Sequence, residues 1–411
     1  MTSPGNTDAI NSTCSKSASS TIMTDDEFES WMLAEFVKPH GNASLYQEYR
    51  EIFHLAASAV RKWRQRFHGD PSVWKRLFDK DRVTKEFIEA IPIIQAVFTF
   101  FASNDNDSND NDTASYTVVD LASGKGYLSM LLAELLPPSK VQRFVLMDKA
   151  WPTYDQEPQK HHMSKAHIAG DYQDKWPIPL VTSKQDFKKS RQRTLLQDRF
   201  FSQGPVILLA VHLCGTLSLK AVDFFNHNTN IVFFALKPCC LPGIIHAKRK
   251  EVFQFRHTCT KDNATDSTEP LRCYHSFEAA TVCMHGKWNK NVWKGPHRST
   301  LTAYFETWAD NLYLGIATEQ HDTDTIDTPN QRKDTDDNPP NKPKYRTQTG
   351  TMAHKLQKTV AVQTEGGYQN EFLFAQRCPV TPSVWEQLLL QDEEASRLSI
   401  VNEDEEEAKI K

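Results

Sequence analysis

Residues 116–129 read Tyr116-Thr-Val-Val-Asp-Leu-Ala-Ser-Gly-Lys-Gly-Tyr-Leu-Ser129. Thr117 to Leu121 is short, rich in β-branched residues and bounded by polar ones, the pattern of a strand buried on both faces in a parallel sheet. It brings Asp120 to the strand end, followed by Gly124 and Gly126. From Leu128 to Leu136 apolar residues recur at helical spacing, and Pro137-Pro138 stops the run. Strand, glycine turn and helix in this order form the unit with which an α/β fold lets a nucleotide-like ligand approach the backbone.

A dinucleotide fingerprint would continue with a third glycine, but Ser129 stands there. The pattern is Asp120-x-Ala122-x-Gly124-x-Gly126, with Ser123 inside the turn. It resembles the first motif of S-adenosylmethionine (SAM) methyltransferases, which take a cofactor without phosphate. The resemblance departs at Ala122, where that family usually has glycine. The competing reading is a glycine turn in an α/β protein without a cofactor.

Composition bounds the rest. The chain has 411 residues, 39% hydrophobic and 10% aromatic, enough for two domains or one with large insertions. Its net charge of −4 is unevenly distributed. The eight cysteines lack framework spacing and several fall in apolar strands, which points to a reducing compartment, cytoplasm or nucleus. No membrane-spanning run and no secretory signal pattern are expected, and the Ser/Thr/Asn-rich start leaves room for an organellar transit segment.

Residues 1–22 are expected to be disordered and 23–102 to form a separate helical lobe. Thr24 and Glu27 form a capping-box pair at the first helix. Leu45 to Phe67 is expected as one helix, and Val83 to Phe101 as another. The basic end Arg61-Lys-Trp-Arg-Gln-Arg66 reads either as a phosphate contact or as a solvated helix terminus. Residues 103–115 are acidic and low in complexity, a flexible insertion.

The second strand, Phe144 to Met147, ends at Asp148, the place of an acid that hydrogen-bonds ribose hydroxyls. Ile178 to Ser183 is the candidate third strand, and Asp186 in the following loop is the candidate adenine contact. The basic cluster Lys188 to Arg193 reads as a phosphate contact or a surface helix. Val206 to Val211 gives the fourth strand, ending in His212-Leu-Cys-Gly215. Ile231 to Leu236 gives the fifth, ending in Lys237-Pro-Cys-Cys240. In an open parallel sheet these carboxyl ends share one crevice.

Asp-x-x-x-Gly-Lys-Gly-x-Leu-Ser, His-Leu-Cys-Gly and Pro-Cys-Cys together resemble one branch of SAM-dependent methyltransferases. That branch includes the tRNA acceptor-stem 2′-O-methyltransferase, methyltransferase-like proteins and the glutathione-S-transferase C-terminal-domain-containing protein. The resemblance covers roughly residues 80–245. It implies a seven-stranded, Rossmann-like class I methyltransferase sheet. It also implies SAM against Asp120, Gly124, Gly126 and Asp148, with Ala122, Ser123, Asp186 and His212 as further candidate cofactor contacts. His212, Cys214 and Lys237 become the catalytic candidates beside the transferred methyl. The tRNA enzyme continues its fourth motif with Ala-Thr-Asp where this chain has Thr216-Leu217-Ser218, and its zinc modules have no counterpart here.

His212 reads either as a base for a hydroxyl or amine proton or as a histidine bonded to backbone at a strand end. Lys237 would meet an acidic substrate group or point to solvent. Cys214, Cys239 and Cys240 could in principle hold zinc with His212. Adjacent cysteines, however, lack the gap that turns two sulfurs to one ion, so no metal is expected.

Residues 286–298 interleave Trp288 and Trp293 with Lys287, Lys290, Lys294 and Arg298. That composition suits stacking on RNA bases and pairing with phosphates, or two tryptophans anchoring a lid. The methyltransferase domain is expected over 116–317, disorder over 318–350, and a sheet-completing hairpin turning near Gly366-Gly367 within 351–390. A last helix, Ser383 to Arg397, and an acidic tail end the chain, residues 391–411 covering the helix end and the tail. The expected activity is methyl transfer to RNA. Protein or small-molecule methylation and a non-catalytic SAM-binding adaptor are the alternatives.

Overall fold

The computed structural model describes residues 23–38, 42–105, 115–153, 160–257, 272–283, 287–289, 292–318, 344–349, 353–362 and 369–377. Five helices come first: α1 (Asp25–Val37), α2 (Asn42–Glu48), α3 (Arg50–Phe67), α4 (Pro71–Leu77) and α5 (Lys80–Asp105). An alternating βα stretch follows: β1 (Tyr116–Leu121), α6 (Tyr127–Leu135), β2 (Val141–Asp148), β3 (Leu180–Lys184), α7 (Ser190–Leu196), β4 (Val206–Cys214), α8 (Leu217–His227), β5 (Ile231–Cys240) and α9 (Ile244–Lys248). Next come the hairpins β6 (Val252–His257) with β7 (Arg272–Glu278) and β8 (Lys287–Asn289) with β9 (Val292–Lys294), then α10 (Arg298–Leu314). The chain returns as β10 (Lys344–Thr349), β11 (Ala353–Thr359) and β12 (Glu371–Arg377).

The main sheet has eight strands in the order β10-β11-β12-β5-β4-β1-β2-β3. β1 to β5 pair in parallel, while β12 joins β5 antiparallel and β11 and β10 follow antiparallel. This is a Rossmann-like, doubly wound architecture, with β10 as an added edge strand. Strand order reverses between β1 and β4, so their carboxyl ends flank the crevice of a doubly wound sheet.

Strand alternation distributes apolar residues to both faces. Val118, Phe144, Leu146, Ile207, Leu209, Phe233 and Ala235 enter one core with α3, α5 and α6. Val119, Val145, Met147, Leu208, Ala210, Phe234 and Leu236 enter the other with α8 and α10. Runs without polar alternation are what a sheet covered on both sides requires.

Helices α1 to α5 are not a separate lobe, contrary to the expectation. Trp63, Phe67, Ile91 and Ile94 belong to the same apolar layer as Leu131 and Phe144. Arg66 pairs with Glu134 of α6 at 2.6 Å, Tyr127 Oη donates to the Leu77 carbonyl at 2.7 Å, and Lys358 of β11 reaches the Tyr49 hydroxyl at 2.8 Å. The arginines of α3 are held internally. Arg61 meets Asp26 and Glu29, Arg64 meets Asp25, and Arg66 also covers the Trp176 ring at 4.9 Å. That cluster is therefore neither a phosphate surface nor a fully solvated end.

Other boundaries shift for local reasons. The capping box forms as expected, with Thr24 Oγ1 accepting from Glu27 N and Thr24 N donating to Glu27 Oε2. Tyr49, at φ −119° and ψ 31°, breaks the expected Leu45–Phe67 helix into α2 and α3. Lys80–Ser103 is long and apolar enough to cross a membrane by length and composition, where no such run was expected. Yet 78% of that window is buried in the fold, as in a core helix. β10 occupies Lys344–Thr349, where disorder was expected, and its polar sequence suits the sheet edge it forms. β11 and β12 form the expected hairpin, while its turn, the last helix, the tail, and residues 1–22 and 106–114 lie outside the described residues.

Candidate active site

The turn after β1 is built from left-handed residues. Ala122, Gly124 and Gly126 have φ of 54°, 55° and 85°. Gly126 caps α6, and a Cβ there would lie 2.3 Å from Leu146 Cδ2, so any larger residue must displace that side chain at a left-handed φ. Gly124 differs, because a Cβ on it would meet nothing within 4 Å. Its left-handed conformation favours glycine, and the space above it is open. Ala122 keeps the left-handed shape that glycine usually supplies, at about 1–2 kcal/mol of strain. The departure from the family motif thus leaves the turn intact.

Asp120, at the end of β1, is only 2% exposed. Ser129 Oγ, from the first turn of α6, donates to Asp120 Oδ2 at 2.7 Å. This is what the serine at the third glycine position does. Burial pushes the Asp120 carboxyl up to about 7, Ser129 offsets part of this, and the nearby Glu86 carboxylate adds to it. At the end of β2, Asp148 braces the turn: Oδ2 accepts from Gly124 N at 3.2 Å and Oδ1 from Ala150 N at 2.8 Å. Ser123 N donates to the Met147 carbonyl at 3.1 Å, tying the β1 turn to β2.

Across the switch point, β4 and β5 each carry an irregularity. Val211 faces Lys237, Leu213 faces Pro238 and Cys214 faces Cys240, so His212 and then Cys239 are extra residues. His212 takes φ 60°, a strained position for a non-glycine residue. The bulge aims its ring at α5, which runs back along the sheet face. Phe100 near the end of α5 packs on Tyr116 and Phe233 at the amino ends of β1 and β5. Its first half therefore overhangs the carboxyl ends.

There Glu86 and Glu89, three residues apart on one helix side, flank His212. Nε2 lies 3.2 Å from Glu86 Oε2 and 2.8 Å from Glu89 Oε2. Burial alone would lower the histidine, but the two carboxylates win and raise it to about 9. Both glutamates are held below the ordinary carboxylate range although burial opposes this, largely because of His212. Its ring thus meets two side-chain carboxylates of α5 rather than backbone. The two carboxylates favour its protonated form, which would tie α5 over the strand ends.

Lys237 does not point to solvent. It is fully buried, its Nζ lies 3.7 Å from Glu89 Oε2, and burial lowers its pKa. Nζ has no hydrogen-bond partner there. Glu86 and Glu89 escaped sequence reasoning because α5 reads as a core helix. The available signal was an acid embedded between Phe87-Ile88 and Ala90-Ile91.

Cys214, Cys239 and Cys240 come together, with Sγ–Sγ distances of 3.4 Å for Cys214–Cys239 and 3.5 Å for Cys239–Cys240. Sulfur contacts from Cys239 and Cys240 push the Cys214 thiol down, while the contact with Cys214 pushes the Cys239 thiol up.

Asp186 lies in the loop after β3, where its Oδ1 accepts from Lys188 N at 3.2 Å. That is a turn-capping contact. Arg193 likewise folds onto the carbonyls of Phe187 and Lys188. In the expected RNA-facing stretch, β8 and β9 pair with Trp288 opposite Trp293. Lys290 lies outside the described residues.

Residues 90–245 match a family model described as a methyltransferase domain. The match runs from α5 into α9 and includes Asp120, Asp148, His212 and the Lys237–Cys240 segment. None of the curated proteins searched matches the chain. Domain match and fold together support a methyltransferase, and so a transferase enzyme whose reaction implies a methyl donor such as SAM.

Proposed function

We propose that this protein is a SAM-dependent methyltransferase, with its cofactor site at the carboxyl ends of β1, β2 and β4. The observation that carries the reading is the buried Asp120 carboxyl beside an open glycine turn at the switch point of the sheet. The residues fit the cofactor. Gly124 leaves clear space for close approach. Asp120 offers a desolvated carboxylate to a cationic ligand, which would favour its ionised form. Asp148, at the end of β2, retains lone pairs for ribose hydroxyls beyond the two it commits to Gly124 and Ala150. SAM supplies an activated methyl group when bound.

The chain's own groups orient the reactants and exclude water. Glu86, His212 and Glu89 hold α5 over the edge, and the buried Lys237 amine lies beneath it, 3.7 Å from Glu89. We assign RNA as the acceptor on the basic and aromatic composition of residues 286–298. Incubating the protein with methyl-labelled SAM and an RNA pool tests both levels. Label should enter ribonuclease-sensitive material, and Gly124→Val, whose side chain fills the open space, should abolish it. Label in protein or small molecules instead would keep the methyltransferase and refute the RNA assignment. Replacing Lys287, Lys290 and Lys294 together should weaken RNA binding and flatten its salt dependence while sparing SAM binding. Unchanged RNA affinity would sink that placement.

A further inference from the structure

The three clustered thiols are not needed by the cofactor site, and their arrangement has a chemistry of its own. In a regular strand, adjacent side chains point to opposite faces, which would keep Cys239 and Cys240 apart. The irregular end of β5 instead leaves their sulfurs 3.5 Å apart, and the bulge at His212 brings Cys214 opposite Cys240. Backbone pairing holds this register, since Gly215 N donates to the Cys240 carbonyl at 3.1 Å. All three Sγ atoms lie within 4.8 Å of one another. With zinc–sulfur bonds of about 2.3 Å, thiolates around a tetrahedral zinc sit roughly 3.8 Å apart, so little movement separates this cluster from a coordination triangle.

We propose that Cys214, Cys239 and Cys240 form a zinc site, three thiolates with an open fourth position. The site is new relative to the methyltransferase reading and does not depend on it. Its ligands stand on neighbouring strands of the central sheet, a rigid base for a fixed geometry. Cys239 is buried while Cys214 is exposed, so ions have a route in and the outer side stays open to water or a substrate atom. Three thiolates on Zn²⁺ carry one net negative charge. Lys188 places positive charge near Cys214, which offsets it. On binding, Zn–S bonds replace S–H bonds, and each displaced proton passes to solvent. Adjacent cysteines diverge only where the backbone is regular, and the strand ends here are doubly irregular.

The test uses the full chain, reduced and freed of metal, titrated with Co²⁺ as the spectroscopic probe and then with Zn²⁺. The wild type should develop a sulfur-to-cobalt charge-transfer band together with the intense visible bands of tetrahedral cobalt. Zinc should displace the cobalt and remain at one per chain after dialysis. Cys283→Ala, which alters a cysteine outside the cluster, should behave as the wild type. The triple serine variant at 214, 239 and 240 should lose the bands, with folding checked by circular dichroism. Should that variant not fold, Cys214→Ser, at the exposed position, decides, with an expected affinity loss of at least about tenfold, the lower end of what even ligand-supporting groups cost. A reduced, folded wild type that takes up no cobalt would overturn the site. So would cobalt uptake that the serine variants leave unchanged. Either result would leave SAM binding untouched.

Discussion

Asp120→Asn should stabilise the protein, and increasingly so as pH rises. The carboxyl is buried and its folded-state pKa stands at about 7, against 3.8 for the free group. For an acid raised in this way, no penalty exists well below pH 3.8, where both states are protonated. As pH climbs, the unfolded chain ionises first, and the folded state must either hold the proton or bury a charge. Stability is therefore lost from about pH 4 upward, and the loss levels off above pH 7. A shift of three units corresponds to about 4 kcal/mol in full, of which roughly 2–3 kcal/mol develops between pH 5 and 8. Asn keeps the shape and still accepts from Ser129. The other charges facing Asp120, those of Glu86, His212 and Asp148, already enter its raised pKa and so are included in this figure. Urea unfolding of wild type and variant at pH 5 and 8 reads the difference. The stability gap should widen by roughly 2–3 kcal/mol, and a gap that does not change with pH would refute the buried neutral carboxyl.

Gly126→Ala must accommodate a Cβ 2.3 Å from Leu146 at a left-handed position, and should cost about 2–4 kcal/mol in unfolding free energy; a loss under about 1 kcal/mol would mean the turn can reshape. Arg66→Ala strands Glu134, whose side chain is 1% exposed, and should cost about 3 kcal/mol in one cooperative transition. If helices α1 to α5 instead unfolded separately from the sheet, the core they share with its face would be wrong. Lys237→Met removes a buried ammonium without a hydrogen-bond partner and leaves Glu89 with His212, so stability should hold within about 1 kcal/mol or rise; a large loss would show that Lys237 has a partner this account lacks.

The parts of the fold legible in the sequence are those governed by local rules. The strand–turn–helix unit from Tyr116 to Leu135, the capping box at Thr24 and the antiparallel return of β11 and β12 all follow from short-range pattern. What escaped depends on packing between distant segments. Helices α1 to α5 read as a lobe because the acidic run after them looks like a linker, yet their apolar side fits the sheet face. Glu86 and Glu89 gain meaning only once His212 bulges out of β4 to meet them. The gathering of Cys214, Cys239 and Cys240 likewise depends on two strand irregularities that no residue pattern announces.

The most direct measurement is calorimetric titration of the folded protein with SAM, beside an Asp120→Ala variant. The wild type should bind one SAM per chain. The variant, deprived of a charge-assisted contact of about 1.5–3 kcal/mol, should bind roughly ten- to a hundredfold more weakly. A folded wild type that binds no SAM, or a variant that binds it equally well, would contradict the account.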